Sequence, residues 1–275
     1  MIAQTFRDYL YSTYSNKNSG TPSSYLKAIE IIDKLFQKED LFNLRNQSLT
    51  EIKDPYLIAR IIDYIALEED KFRNGEESLF DLGEPTQTRY PRKRFCTAAI
   101  RRLGDFINQV CVAEATDIMQ KEHNGLKLSK DLIRKFQIND AGSDIEVRVK
   151  RRVGQDIFRA MLLKIYDTKC CLTGLEIPEV LRASHIIPWA ERVNTRLNPE
   201  NGLCLSATYD AAFDKYLISF DEDYRLILSP VLKEKYTSTA FKEYFLNFAG
   251  KAIHLPLIYK PSQEYLAMHR EKLII

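Results

Sequence analysis

The feature that most limits what this chain can fold into is a change of hydrophobic period near its middle. Up to about residue 140 the apolar residues recur at helical spacing. Tyr25, Ala28, Ile29, Ile32, Leu35 and Phe36 form one stripe. Ile58, Ile61, Ile62 and Ile65 form a second, and Phe95, Ala98, Ala99, Leu103, Phe106 and Val110 a third. Residues three and four apart share one face of a helix, so each stripe predicts a helix with one buried side. Thr21-Pro22 supplies a cap and first-turn proline for the first helix, Asp54-Pro55 starts the second, and the third begins near Arg92. No strand alternation precedes residue 140. The cluster Asn139-Asp140-Ala141-Gly142-Ser143-Asp144 consists of turn formers and marks a boundary.

Beyond that cluster the pattern is mixed. Gln155 to Tyr166 reads as a helix with Phe158, Met161, Leu162 and Ile165 on one side. Val180 to Ile187 suits a strand, and Leu203 to Leu205 a short one. Leu217 to Phe220 and Leu226 to Leu228 read as the arms of a hairpin around Asp221-Glu222-Asp223. Phe241, Tyr244, Phe245 and Phe248 mark a later helix. The expected class is α+β, with a helical domain over residues 1–140 and a mixed domain over 141–275.

With 45% hydrophobic and 28% charged residues, the chain has the material for an ordinary packed core. No run approaches the roughly 18 to 20 apolar residues that span a bilayer, so no membrane partner is expected. Met1 to Leu10 carries Arg7 and Asp8 and lacks the apolar run of a secretory signal, which makes a cytoplasmic location the default. Cys96, Cys111, Cys170, Cys171 and Cys204 are odd in number and fit free thiols better than disulfides.

The net charge of +2 neither points to nucleic acid nor away from it; placement decides. From Pro85 to Gly104 there is no acid, against Arg89, Arg92, Lys93, Arg94, Arg101 and Arg102. Arg148, Lys150, Arg151 and Arg152 make a second basic run. Phosphate contacts need clusters of this kind, although a solvated helix face produces the same pattern. Arg94, Arg101, Arg151 and Arg152 are the candidate DNA-binding residues of these runs.

The chemistry concentrates between Cys170 and Asp223. The order there is Cys171-Leu172-Thr173-Gly174, then Ala183-Ser184-His185-Ile186-Ile187-Pro188-Trp189, then Arg196-Leu197-Asn198-Pro199-Glu200-Asn201-Gly202-Leu203, then Asp210-Ala211-Ala212-Phe213-Asp214. His185 sits on the expected strand, where a general base is held well, and an imidazole is largely neutral at physiological pH. The alternative is a core histidine bonded to a backbone carbonyl. Asp210 and Asp214 are four apart, so on a short helix both carboxylates share a face. Such a pair of hard oxygen donors suits Mg²⁺ or Mn²⁺; a cap plus a salt bridge is the other reading.

These motifs, in this order, resemble the HNH (ββα-metal) endonucleases, in particular the restriction-endonuclease-like branch with a Ser-His-Ile-x-Pro-Trp core. Arg151-Arg152-Val153-Gly154-Gln155 and Phe158-Arg159 resemble the same branch, and the likeness covers roughly residues 150–270. It implies a ββα-metal core and hydrolysis of double-stranded DNA to 5′-phosphate and 3′-hydroxyl ends, in restriction of foreign DNA. His185 would be the base, and Asn201 the family's central Asn, which either ligates metal or braces the loop facing the histidine. Asp210 and Asp214 stand where many relatives have metal-binding histidines. Ser184 stands where many have an Asp or His ligand, which makes it a candidate third ligand. Arg182 is a candidate phosphate contact, with a surface salt bridge as the alternative.

Many HNH proteins hold a structural zinc on two Cys-x-x-Cys pairs. Here Gly174 follows Cys171 and Ala207 follows Cys204 at the matching places, so no structural zinc is expected. The first half would supply recognition or dimerisation, a homodimer being one arrangement that allows it. Two rivals follow from the same residues: a DNA-binding regulatory module without catalysis, and a nuclease acting on RNA or on structured DNA.

Overall fold

The protein is described here from a computed structural model, covering residues 5–14, 20–84 and 87–273. Residues 1–4, part of the chain start read above, and Pro85, the head of the first basic stretch, lie outside the described residues. The fold is α+β. In chain order the helices are α1 (Phe6–Thr13), α2 (Thr21–Glu39), α3 (Pro55–Asn74), α4 (Arg89–Arg92), α5 (Phe95–Lys121), α6 (Gly125–Lys135) and α7 (Asp144–Ile165). Next come β1 (Leu181–His185), β2 (Gly202–Ser206), α8 (Ala207–Asp214), β3 (Ile218–Phe220) and β4 (Leu226–Leu228), then α9 (Pro230–Lys235), α10 (Thr239–Tyr244) and α11 (Gln263–Arg270). No described helix is long and apolar enough to cross a membrane.

Contacts divide the chain into two compact units. One comprises Met1–Ala113 with Asp140–Val153, the other Glu114–Asn139 with Gly154–Ile275. In the first unit Ala28, Ile29, Ile32, Leu35, Phe36, Ile58, Ile61, Ile65, Ala99, Leu103 and Phe106 are buried, which is most of the three apolar stripes. The Asp54 carboxylate accepts from the Tyr56 amide at 2.8 Å and caps α3. For α2 the capping position is Gly20 rather than Thr21, which is already helical. The third stripe lies on α5, which starts at Phe95 rather than near Arg92: Arg94 has a φ of 57° and separates α4 from α5.

The start of α5 is held by an acid from elsewhere. Glu69, with no exposed surface, accepts from the Cys96 and Thr97 amides at 3.0 and 3.1 Å and from the Thr97 hydroxyl. Burial raises its pKa, and the bonds from Thr97 and Cys96 oppose that rise. The turn-former cluster also proves to be a helix start. The Ser143 amide donates to the Glu146 carboxylate at 2.9 Å and the Glu146 amide to the Ser143 hydroxyl at 3.4 Å. This reciprocal cap begins α7 at Asp144, eleven residues before Gln155.

The second unit contains the strand–strand–helix arrangement. β1 and β2 are antiparallel, with Ala183 opposite Cys204 and His185 opposite Gly202, and α8 follows β2 directly. Gly202 lies against α7: a Cβ there would stand 2.6 to 2.8 Å from side-chain atoms of Leu162 and Phe158, so only glycine lets the strand approach so closely. β3 and β4 form the hairpin, whose turn is shaped by the Asp221 carboxylate accepting from the amides of Asp223 and Arg225. Of the later aromatic run, Phe241 and Tyr244 lie on the six-residue helix α10, Phe245 ends it and Phe248 sits in a following 3-10 turn; Tyr244 is 57% exposed. α6, which falls before residue 140, joins this unit. Its Ser129 hydroxyl donates to the Asn194 carbonyl at 2.7 Å and accepts from the Leu197 amide at 3.3 Å.

Candidate active site

The β1–β2 connection, residues 186–201, is long, and several of its polar groups are bound within it. Asn201 is fully buried and uses its whole amide: Oδ1 accepts from the Ile187 amide at 2.8 Å, and Nδ2 donates to the carbonyls of Ile187 and Thr195 at 3.1 and 3.2 Å. These bonds describe a brace. The Arg196 Nε donates to the Trp189 carbonyl at 3.0 Å, and its guanidinium lies 5.1 Å from the Trp189 ring centre. This braced loop delivers the Arg196 carbonyl to the end of β1.

There His185 Nε2 lies 2.9 Å from that carbonyl oxygen. A carbonyl only accepts, so Nε2 carries the proton and Nδ1 keeps the lone pair. Nδ1 has no hydrogen-bond partner among the described residues, while the ring stacks on Phe158 at 3.7 Å and meets Trp189 edge-on at 5.6 Å. Burial pushes the imidazole pKa down to about 4; the carbonyl bond opposes this and the Arg196 charge adds to it. His185 is therefore neutral at pH 7, with one fixed tautomer.

The ring lines a cavity of about 550 Å³ shared with Ser184, Arg182, Asp210, Asp214 and Tyr216. The buried Ser184 hydroxyl donates to Asp210 Oδ1 at 2.6 Å, so it orients that carboxylate. Asp214, one turn further along α8, has no hydrogen-bond or ion-pair partner among the described residues. Partial loss of hydration, and second the like charge of Asp210, push its carboxyl above the ordinary range. Arg182 is exposed and donates only to the carbonyls of Glu179 and Leu181; it is in no salt bridge with a described residue.

No group of three or more His, Cys, Asp or Glu side chains suited to a metal occurs among the described residues. Two carboxylates on one helical face nevertheless fit Mg²⁺ or Mn²⁺, which commonly bind one or two protein carboxylates and fill the remaining positions with water and substrate phosphate. The cysteines lie away from this cavity's lining. Cys170, Cys171 and Cys204 are fully buried, and Cys170 Sγ accepts from the Ser206 amide at 3.3 Å. Burial pushes the Cys204 thiol up to about 12 and the Cys171 thiol well above its usual range.

The remaining arginines singled out in the sequence belong to the first unit. Arg94 pairs with Asp70. Arg101, Arg151 and Arg152 are exposed and have no ion pair among the described residues. Sequence reasoning missed His269, which lines the same cavity as His185. It lies 55 residues beyond Asp214, and nothing in its local pattern connects it with α8.

Residues 170–221 match the family model of the HNH endonucleases, and the N-terminal half matches no family. No curated protein matches the chain. An HNH endonuclease domain supports nuclease activity with DNA as substrate, and HNH nucleases generally use a divalent metal.

Proposed function

We propose that the chain is a metal-dependent endodeoxyribonuclease, acting on double-stranded DNA in a restriction-type role. The observation that carries this reading is one cavity holding a neutral imidazole beside a Ser184-oriented Asp210 and Asp214, with neither the imidazole Nδ1 nor Asp214 partnered among the described residues. Water on Nδ1 loses its proton to His185 as its oxygen attacks phosphorus, and the 3′ oxygen leaves. Asp210 and Asp214 would hold the divalent cation, and Ser184 acts through Asp210. Bound there, Mg²⁺ or Mn²⁺ supplies charge stabilisation at the phosphate and the leaving oxygen. Asn201 keeps the loop in place so that the Arg196 carbonyl fixes the tautomer. Arg182, whose Nη1 is bound only to carbonyls, is the phosphate contact at the cavity. The helical region, residues 1–140 in the division made from sequence, serves recognition or dimerisation.

Plasmid digestion with Mg²⁺ and with Mn²⁺, followed by sequencing of the ends, tests the reading. The expected products carry 5′-phosphate and 3′-hydroxyl ends. DNA binding without cleavage in either metal would make the chain a regulatory module. Cleavage of RNA or of nicked DNA in preference to intact duplex would change the substrate.

A further inference from the structure

Arg101 and Arg148, from two basic runs and 47 residues apart in sequence, meet on one surface of the first unit. A groove of about 630 Å³ is lined on one side by Arg101 of α5 and on another by Arg148 and Arg152 of α7. Its floor is apolar and comes largely from α3, including Ile58 and Ile62. The lining contains four arginines and two aspartates. Arg102 and Asp105 neutralise each other at 3.1 Å, and Asp63 stands on α3. Arg101, Arg148 and Arg152 are exposed and have no carboxylate partner among the described residues, so the α5 and α7 walls carry unbalanced positive charge.

Like charges gathered this way repel unless an anion joins them. Arg148 and Arg152 are one turn apart on one face of α7, about 6 Å along the axis, so they present two guanidinium forks in line. Arg101 adds a third from another helix. A row of forks matches an extended polyanion better than a single small anion, because each fork can take a separate phosphate bidentately.

We propose that this groove binds the phosphate backbone of duplex DNA through Arg101, Arg148 and Arg152, as a contact surface separate from the cavity at His185. It rests on the reading that the substrate is duplex DNA, and it assigns the contact to particular residues. Arg94 drops out because Asp70 neutralises it, and Arg151 because it does not line the groove.

The test is binding of a fluorescein-labelled 20-base-pair duplex to the full chain, without divalent metal, across a range of salt concentrations. Each phosphate contact contributes about 0.9 to the slope of log K against log salt, so the triple variant Arg101→Gln/Arg148→Gln/Arg152→Gln should lose about 2.7. The single variants Arg148→Gln and Arg152→Gln should each lose about 0.9, which keeps the question answerable if the triple variant folds poorly. Arg94→Gln is the matched loss of one charge, and its slope should be unchanged. The proposal is overturned by an unchanged slope in the groove variants, by an equal loss in Arg94→Gln, by tighter binding of a duplex RNA of the same sequence, or by no wild-type binding. A wild-type chain that binds with the expected slopes yet never cuts plasmid would overturn the nuclease reading and leave the groove standing.

Discussion

His185 and His269 occupy closely similar surroundings and differ in one bond. Each ring stacks on a phenylalanine at 3.7 Å, Phe158 for His185 and Phe213 for His269. Each places Nε2 against a backbone carbonyl, Arg196 at 2.9 Å and Phe213 at 3.1 Å. Burial lowers both pKa values to about 4. At His269, however, Nδ1 accepts from the buried Ser219 hydroxyl at 3.0 Å, and the residue is 3% exposed. His269 therefore has both nitrogens bound and can only position: it grips the last turn of α8, which carries Asp214. His185 has one nitrogen without a partner among the described residues. Desolvation, stacking and a carbonyl bond are common to both rings; a lone pair without a partner among the described residues is found only at His185, and the proposed role as base rests on it.

The largest expected effect breaks the comparison at its centre. His185→Ala should slow cleavage by about a hundredfold to ten-thousandfold, the usual contribution of a general base, while folding, DNA binding and calorimetric metal binding persist. Cleavage near the wild-type rate would remove His185 from catalysis. Loss of metal binding would make it a ligand instead. Asp214→Ala comes next: activity and metal affinity should fall together, and a normal titration isotherm would show that the ion is held elsewhere.

A smaller effect sharpens the other half. His269→Ala should lower cleavage by about tenfold through looser placement of α8, and His269→Gln, whose amide can still donate to the Phe213 carbonyl, should recover most of the rate. The readout is the metal concentration giving half-maximal rate, which should rise in the alanine variant and return in the glutamine one. If glutamine rescues nothing, the Nε2 bond is not what positions α8.

The pH dependence of stability is smaller again. The folded pKa of His269, about 4, lies below the unfolded value near 6.5, so between those values the unfolded chain binds more protons. The histidine's stabilisation is complete above about pH 6.5 and is lost as pH falls toward 4. Urea unfolding should show stability declining through that window, and His269→Gln should flatten the decline, leaving the part due to His185. An identical slope in the variant would mean that His269 is solvated. The smallest effect on stability is expected from chelation, which should stop cleavage yet leave the melting temperature unchanged, because nothing in the cysteine-bearing core is expected to depend on zinc. A large drop in melting temperature on chelation would contradict that.

What the sequence determined by itself is what local spacing encodes. Ile58, Ile61 and Ile65 fall on one helical face at any position in a protein, and they are buried here. Asp210 and Asp214 share a face because α8 is a helix, and the motif order around His185 marks the segment of the HNH match by sequence alone. The start of α7 was legible too, in Ser143 and Glu146, but turn formers mask a capping box when it is read only as a loop. Tertiary structure decided the rest. Which nitrogen of His185 stays free depends on a carbonyl eleven residues away, and the role of Ser184 on a carboxylate 26 residues away. The silencing of Arg94 depends on Asp70, and the burial of Glu69 on amides 27 and 28 residues downstream. Hydrophobic period and helical spacing act between near neighbours and leave a mark in the local sequence. A hydrogen bond or ion pair between distant residues leaves none, because its partner is chosen only when the chain has packed.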